Sequence, residues 1–201
     1  MEIFNSIFKD KKIIVTGHTG FKGSWLILWL SKLGAEVIGI SKDDLGMPSN
    51  FLTINKGLKI KDIREDICNQ ESINKIFQDH KPDFVFHLAA QALVRPSYEM
   101  PMDTFITNAI GTTSVLEALR KLSNEVTAVM ITSDKAYDNV EWVWGYRETD
   151  KLGGKDPYSA SKGMAELAIR SYFESFFNNS DTNVRIGITR AGNVIGGGDW
   201  A

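Results

Sequence analysis

Tyr158 and Lys162 stand four residues apart in Pro157-Tyr158-Ser159-Ala160-Ser161-Lys162. On a helix that spacing puts both side chains on one face. A lysine cation beside a phenol lowers the phenol's pKa. Such a tyrosine can take a proton from a hydroxyl as hydride leaves the carbon that bears it. Ser133, in Ile131-Thr132-Ser133-Asp134-Lys135, could hydrogen-bond the same hydroxyl. Tyr-x-x-x-Lys alone often marks nothing more than a helix face. It gains weight from what lies upstream.

Upstream, Thr16-Gly17-His18-Thr19-Gly20-Phe21-Lys22-Gly23 follows the apolar run Ile13-Ile14-Val15 and precedes a helical pattern, Trp25 to Leu33. The G-x-x-G-x-x-G spacing between a strand and a helix predicts a dinucleotide cradle. Gly17 permits the tight turn, Gly20 lets backbone approach a pyrophosphate, and Gly23 lets helix pack on strand. The helix N-terminus then offers its N–H groups to the phosphates. His18 and Lys22 read as solvated loop residues, with phosphate contact as the weaker alternative. Asp43, after the second strand, could read a ribose 2′-hydroxyl and so favour NAD. Lys42 could instead meet a 2′-phosphate, so NADP stays open. Asp62 and Ile63, after the third strand, are placed to meet adenine, with a plain turn as the alternative for Asp62.

The elements that must hold these groups alternate. Strands are expected at Ile13–Val15, Glu36–Ile40, Leu58–Asp62, Phe84–Leu88, Val126–Thr132 and Val184–Thr189, and a loop over Ser41–Gly57. Helices are expected at Trp25–Leu33, Glu71–Gln78, between Tyr98 and Leu122, and from Pro157 to about Phe177. Strand–helix alternation implies βαβ units and a doubly wound parallel sheet of six or so strands, helices on both faces: a Rossmann architecture over residues 1–201. Ligands of such sheets bind at the carboxyl ends of the strands, where Ser133 and the glycine loop both fall. Phe4, Ile7 and Phe8 should pack the lead-in onto the first strand or helix.

Composition narrows the classes. A net charge of −2 argues against non-specific nucleic-acid binding. No apolar run approaches the roughly 18 residues of a membrane span, and the first residues lack the features of a signal peptide. No membrane partner and a cytoplasmic location are expected. The single cysteine, Cys68, reads as a half-buried helix-start residue. His18, His80 and His87 are scattered without ligand spacing, so no metal is expected.

The chain resembles the extended short-chain dehydrogenases/reductases, the family of NAD-dependent sugar-nucleotide epimerases and dehydratases. Within it the chain looks most like the branch of 4,6-dehydratases acting on CDP-glucose. The resemblance is carried by Thr16–Trp25, Phe86–Gln91, Ser133–Tyr137, Glu141–Glu148, Asp156–Lys162 and Arg190–Trp200. It implies oxidation at sugar C4, loss of water across C5 and C6, and hydride return to C6. It makes Ser133, Tyr158 and Lys162 the catalytic triad, with Tyr158 and Lys162 also touching the cofactor. Asp134 is implied as the acid for the C6 hydroxyl and Lys135 as the base at C5, a role that needs a neutral lysine. A contact to substrate phosphate is the rival role for Lys135. Phe21 joins the glycine loop at the cofactor, and Leu88, Ala89 and Ala90 match a cofactor-lining segment. Gln91, Asn108 and Asn193 match substrate-side or supporting positions, with local backbone bonding as their alternative. Trp142, Trp144 and Tyr146 either wall the substrate or anchor their loop.

The resemblance implies a nucleotide-sugar substrate, NAD and a homodimer built on two long helices. It covers a little over half of the family's usual length, so the part that builds most of the substrate pocket is expected to be missing. Two other readings stay open. A 4-epimerase shares the fold and the Tyr/Lys pair but has no need of Asp134-Lys135. A non-catalytic dinucleotide-binding module would have no need of the triad.

Overall fold

The computed structural model describes residues 3–43, 46 and 48–199. Met1, Glu2, Asp44, Leu45, Met47, Trp200 and Ala201, which fall within the lead-in, the expected loop and the last resembling stretch, lie outside the described residues.

Six parallel strands form one sheet: β1 (Lys12–Thr16), β2 (Glu36–Ser41), β3 (Lys61–Arg64), β4 (Phe84–His87), β5 (Val126–Ile131) and β6 (Val184–Thr189). Their order is β3-β2-β1-β4-β5-β6, so the direction of winding reverses at β1. The period of two is visible in the core. Ile13, Val15 and Val37 face Ile27, Leu30 and Phe51, while Ile14, Ile38, Val85, Ala128 and Met130 face Ile73, Phe77, Val115, Leu119 and Ile169. The first set packs α1 (Phe21–Lys32) and α2 (Asn50–Ile54). The second packs α3 (Gln70–His80), α6 (Gly111–Arg120) and α7 (Pro157–Tyr172). Burial on both faces is why the strands read as continuous apolar runs.

Three elements depart from expectation. The segment expected as loop up to Gly57 contains α2, capped where the Leu52 N–H donates to Ser49 Oγ at 3.3 Å. The third strand is shifted to Lys61–Arg64, pairing Gly39 with Asp62 and Ile40 with Ile63. The single long helix is broken into α4 (Val94–Glu99), α5 (Pro101–Phe105), a π-helical turn at Ile106–Ile110, and α6. Pro101 disfavours helical backbone at the residue before it, and Met100 duly sits at φ −131, ψ 66. α7 runs as expected and continues through a π-helical turn to Phe177. In the lead-in, Phe8 stacks edge-on against Phe84 and Phe4 lies against Trp29, while Ile7 stays half-exposed.

Among the described residues no helix is long and apolar enough to cross a membrane. No cluster of three or more His, Cys, Asp or Glu among them is placed to hold a metal.

Candidate active site

β1 lies between β2 and β4, and the crevice at its carboxyl end is built of backbone. Gly17 sits at φ +73, and a Cβ there would lie 2.7 Å from the Ala89 nitrogen. A Cβ on Gly23 would lie 2.1 Å from the Gly17 carbonyl oxygen. Nothing larger than glycine fits at either place. The Gly20 N–H donates to the Gly17 carbonyl at 3.1 Å and closes the turn. Gly20 has no capping side chain, so the first-turn N–H groups of α1 face outward without one. This edge fits a dinucleotide pyrophosphate, with Phe21, Leu88, Ala89 and Ala90 around it, each only partly buried.

Thr16 and His87 brace the crevice from below. Thr16 Oγ1 accepts from the Leu88 and Ala89 N–H groups, each at 3.2 Å. Its one proton therefore goes to His87 Nδ1, 2.7 Å away. The proton of His87 is then on Nε2, which donates to Thr112 Oγ1 at 3.0 Å. Burial and the nearby Lys162 push the His87 pKa down to about 3, so the ring is neutral. An apolar strand ending in histidine is the one local sign of this role.

His18 is not a solvated loop residue. Its ring is fully buried beneath Gly39, where a Cβ would lie 2.4 Å from it. Nε2 meets Asp62 Oδ1 at 3.0 Å, and the ring is edge-on to Phe51. Burial lowers its pKa, against the pull of Asp62. The other Asp62 oxygen accepts from Arg64 at 2.7 Å, so this carboxylate braces the loop floor. Ile63 is half-buried beside it. Lys42 pairs with Asp66 at 3.3 Å, and the Asp43 carbonyl accepts from Thr19 Oγ1 at 2.8 Å, with Asp43 itself exposed. Cys68 is a bystander, its thiol pushed up to about 11 by burial and by Asp66.

The second wall is the end of β5 facing the start of α7. Asp156 caps that helix, accepting from the Ser159 N–H at 2.9 Å, and Pro157 opens it. Ser133 Oγ accepts from the Lys135 N–H and donates to Asp134 Oδ1, both at 3.2 Å, which winds Asp134–Ala136 into one turn. Tyr158 is buried and faces Ser133. Its phenol pKa is raised, not lowered: burial outweighs the hydrogen bond to Ser133, and Asp134 and Asp156 add to the rise. Lys162 Nζ lies 5.9 Å from the Tyr158 ring centre. Lys162 is itself buried, and its pKa falls to about 8 through burial and the charge of Lys22, opposed by Glu166. Burial of the phenol and the carboxylates of Asp134 and Asp156 decide the direction, which corrects the expectation from spacing. Asp134 and Lys135 are exposed just past Ser133. The Asp134 N–H donates to the Ala191 carbonyl at 3.1 Å, and exposed Asn193 follows on that loop.

Gln91 and Asn108 are engaged by the protein. Gln91 donates to the Leu93 carbonyl and Thr104 Oγ1, and its own oxygen accepts from the Leu93 N–H at 2.6 Å. Asn108, in the π-helical turn, accepts from the Gln91 N–H and donates to the Gln91 carbonyl and to Ser161 Oγ. It is 1 % exposed, so it ties α7 to the loop after β4 and does not face the crevice. The aromatic loop is mostly self-anchored. Tyr146 stacks on Tyr137, Trp142 tilts onto Tyr146, and the Tyr146 hydroxyl bonds Asn139 and Val140. Trp144 is exposed.

One constellation was missed from the sequence. Glu166, one turn after Lys162 on α7, is buried and accepts from Thr132 Oγ1 at 2.6 Å and from Arg190 Nε at 2.6 and 2.8 Å. Arg190 Nη2 also donates to it, Nη1 reaches the Glu148 carbonyl at 3.2 Å, and the guanidinium lies over Tyr137. The available signal was the continuation of the four-residue spacing, Tyr158, Lys162, Glu166.

The family model for GDP-mannose 4,6 dehydratase matches residues 14–186. CDP-glucose 4,6-dehydratase of Salmonella typhimurium is 48% identical over 99% of this chain, which covers 56% of that protein. The solved structure of the epimerase Mth375 from Methanothermobacter thermautotrophicus superposes with a TM-score of 0.79 at 28% identity, over 96% of this chain and 55% of that one. The dTDP-glucose 4,6-dehydratase DesIV of Streptomyces venezuelae, solved with NAD and TYD bound, shares the fold at a TM-score of 0.75 and 23% identity, over 89% of this chain and 55% of that one. The chain spans about half the length of the relatives it matches.

Proposed function

The chain belongs to the GDP-mannose 4,6 dehydratase family, and on that premise we propose that it is the NAD-binding part of a CDP-glucose 4,6-dehydratase. The product is CDP-4-keto-6-deoxyglucose. The cradle of Gly17, Gly20, Phe21 and Gly23 takes the pyrophosphate, and Leu88, Ala89 and Ala90 line the same groove. Asp43 reads the ribose 2′-hydroxyl, Asp62 and Ile63 border the adenine, and Lys162 holds the nicotinamide ribose. NAD held there would supply the hydride acceptor for sugar C4 and the hydride donor for C6.

The side chains move the protons. Tyr158, as the phenolate, takes the proton of the C4 hydroxyl while Ser133 hydrogen-bonds that oxygen, and after the C6 hydroxyl has left this proton passes through solvent to Asp134, which resets both groups. The new ketone acidifies the C5 proton, which Lys135 removes, while Asp134 protonates the departing C6 hydroxyl. Lys135 then gives its proton back at C5. Gln91 and Asn193 border the sugar-nucleotide, and Asn108 supports the site from behind through Gln91 and Ser161.

The observation that carries this reading is Asp134 and Lys135 directly after Ser133 on one turn, at the edge that also holds Tyr158 and Lys162. A 4-epimerase has no task for that pair. CDP-glucose as substrate is supported by the 48% identity to the Salmonella protein. A second copy docks on the apolar stripe of Met102, Ile106 and Ile110 beside Met164 and Leu167, all exposed. The site of action is the cytoplasm.

The test gives the complete gene product NAD and CDP-glucose deuterated at C4. The expected product has lost one water and carries the deuterium at C6. A product of unchanged mass, epimerised at C4, would sink the dehydratase reading and leave the epimerase.

A further inference from the structure

A buried ion pair gains little stability over apolar side chains of the same volume, so its place beneath a reactive lysine needs another reason. Glu166 is 1 % exposed and every direction of its carboxylate is used. Thr132, the residue before Ser133, donates to one oxygen at 2.6 Å. Arg190, the residue after β6, donates through Nε at 2.6 and 2.8 Å and through Nη2. Three elements thus meet on one carboxylate: the end of β5, the end of β6 and α7. The guanidinium carries the link on to Tyr137, 4.6 Å from its centroid, and to the Glu148 carbonyl in the aromatic loop.

We propose that Glu166 and Arg190 are positioning residues: the pair clamps the strand end bearing Ser133 against the helix bearing Tyr158 and Lys162, and supplies the charge that lies beneath Lys162. This rests on the reading of Ser133, Tyr158 and Lys162 given above. The groups facing Lys162 are Lys22 from the first turn of α1, neutral His87 from β4, Tyr158 and Glu166 from its own helix, and Arg190 behind Glu166. Lys22 disfavours the ammonium form and Glu166 favours it. Arg190 mutes Glu166. The two members of the pair therefore act on Lys162 with opposite sign, which no merely structural role requires.

The test titrates Lys162 directly, through its side-chain resonance in isotope-labelled 201-residue protein without any ligand, identified by its absence in Lys162→Met. In Glu166→Gln the Lys162 midpoint is expected to fall by roughly one pH unit, the usual scale for a close opposite charge. In Arg190→Gln it is expected to rise. Unchanged midpoints in both folded variants, or shifts of the same sign, would overturn the proposal. If either variant fails to fold by circular dichroism, Glu166→Gln/Arg190→Gln takes its place, since it leaves no orphaned charge. There the midpoint should fall by less than one unit, because Glu166 is the nearer of the two, and an unmoved midpoint overturns the clamp. No sugar or cofactor enters this experiment, so its failure leaves the dehydratase reading standing, and failure of the deuterium test leaves the clamp standing.

Discussion

The two walls of the crevice are built on opposite principles. At the glycine loop the shape comes from side chains that are absent: Gly17 and Gly23 bring backbone against backbone, and Gly39 makes room for a buried His18. At the β5–α7 wall the shape comes from charged side chains, buried Lys162 and Glu166 and half-buried Arg190, with Tyr158 among them. The first wall is steric in origin. The second is electrostatic and sensitive to pH. On the proposed function, a ligand's phosphates would meet the rigid wall and its reacting carbons the tunable one.

The largest effect should come from breaking the steric wall. Gly23→Ala places a Cβ 2.1 Å from the Gly17 oxygen. Neither backbone can yield, so denaturant unfolding should show a loss of about 3 kcal/mol. A loss under a few tenths would mean that the loop is not backbone-packed.

The electrostatic wall should respond with the reverse sign. Burial lowers the Lys162 pKa to about 8, so at pH 7 the fold holds a cation it disfavours. Lys162→Met should stabilise the chain at pH 7 by on the order of 3 kcal/mol, at about 1.4 kcal/mol per pKa unit. The gain should shrink as pH rises past 8, where the folded lysine sheds its proton while the unfolded one keeps it. A destabilised Lys162→Met at pH 7 would contradict this.

His87 lies between the walls and sets a slope. Its pKa is near 3 folded against 6.5 unfolded, so the unfolded chain binds a proton first as pH falls. Stability should drop below about pH 6.5 by up to ~1.4 kcal/mol per pH unit from this group. His87→Gln should make the acid limb shallower by that amount, and an identical limb would show that His87 already titrates freely.

The smallest effect tests whether glycine matters in itself. Gly145, in the aromatic loop, has open space where a Cβ would go. Gly145→Ala should change stability by less than about 0.5 kcal/mol. A cost like that of Gly23→Ala would break the comparison.

The steric wall was readable in the sequence because glycine spacing between a strand and a helix is itself the message. The alternation of strands and helices and the shared helix face of Tyr158 and Lys162 were readable from periodicity. His18 was misread because nothing local says that Gly39, twenty-one residues on, leaves a slot for its ring. The rise of the Tyr158 pKa was misread because spacing reports neighbours and not burial. Glu166 and Arg190 went unseen because their partnership spans separate elements and looks, residue by residue, like surface charge. Met100 and the π-helical turn after Phe105 show the same limit: Pro101 signalled a helix start, and the break before it followed from backbone sterics.

The measurement that bears most directly on the central claim is calorimetry of NAD and of NADP against the 201-residue chain. The cradle of Gly17, Gly20 and Gly23 predicts saturable binding of NAD at one site, and Lys42, occupied by Asp66, predicts weaker NADP. Tighter NADP would contradict the assignment of Asp43 to the ribose. Binding of neither would contradict the claim that these residues by themselves form a dinucleotide site.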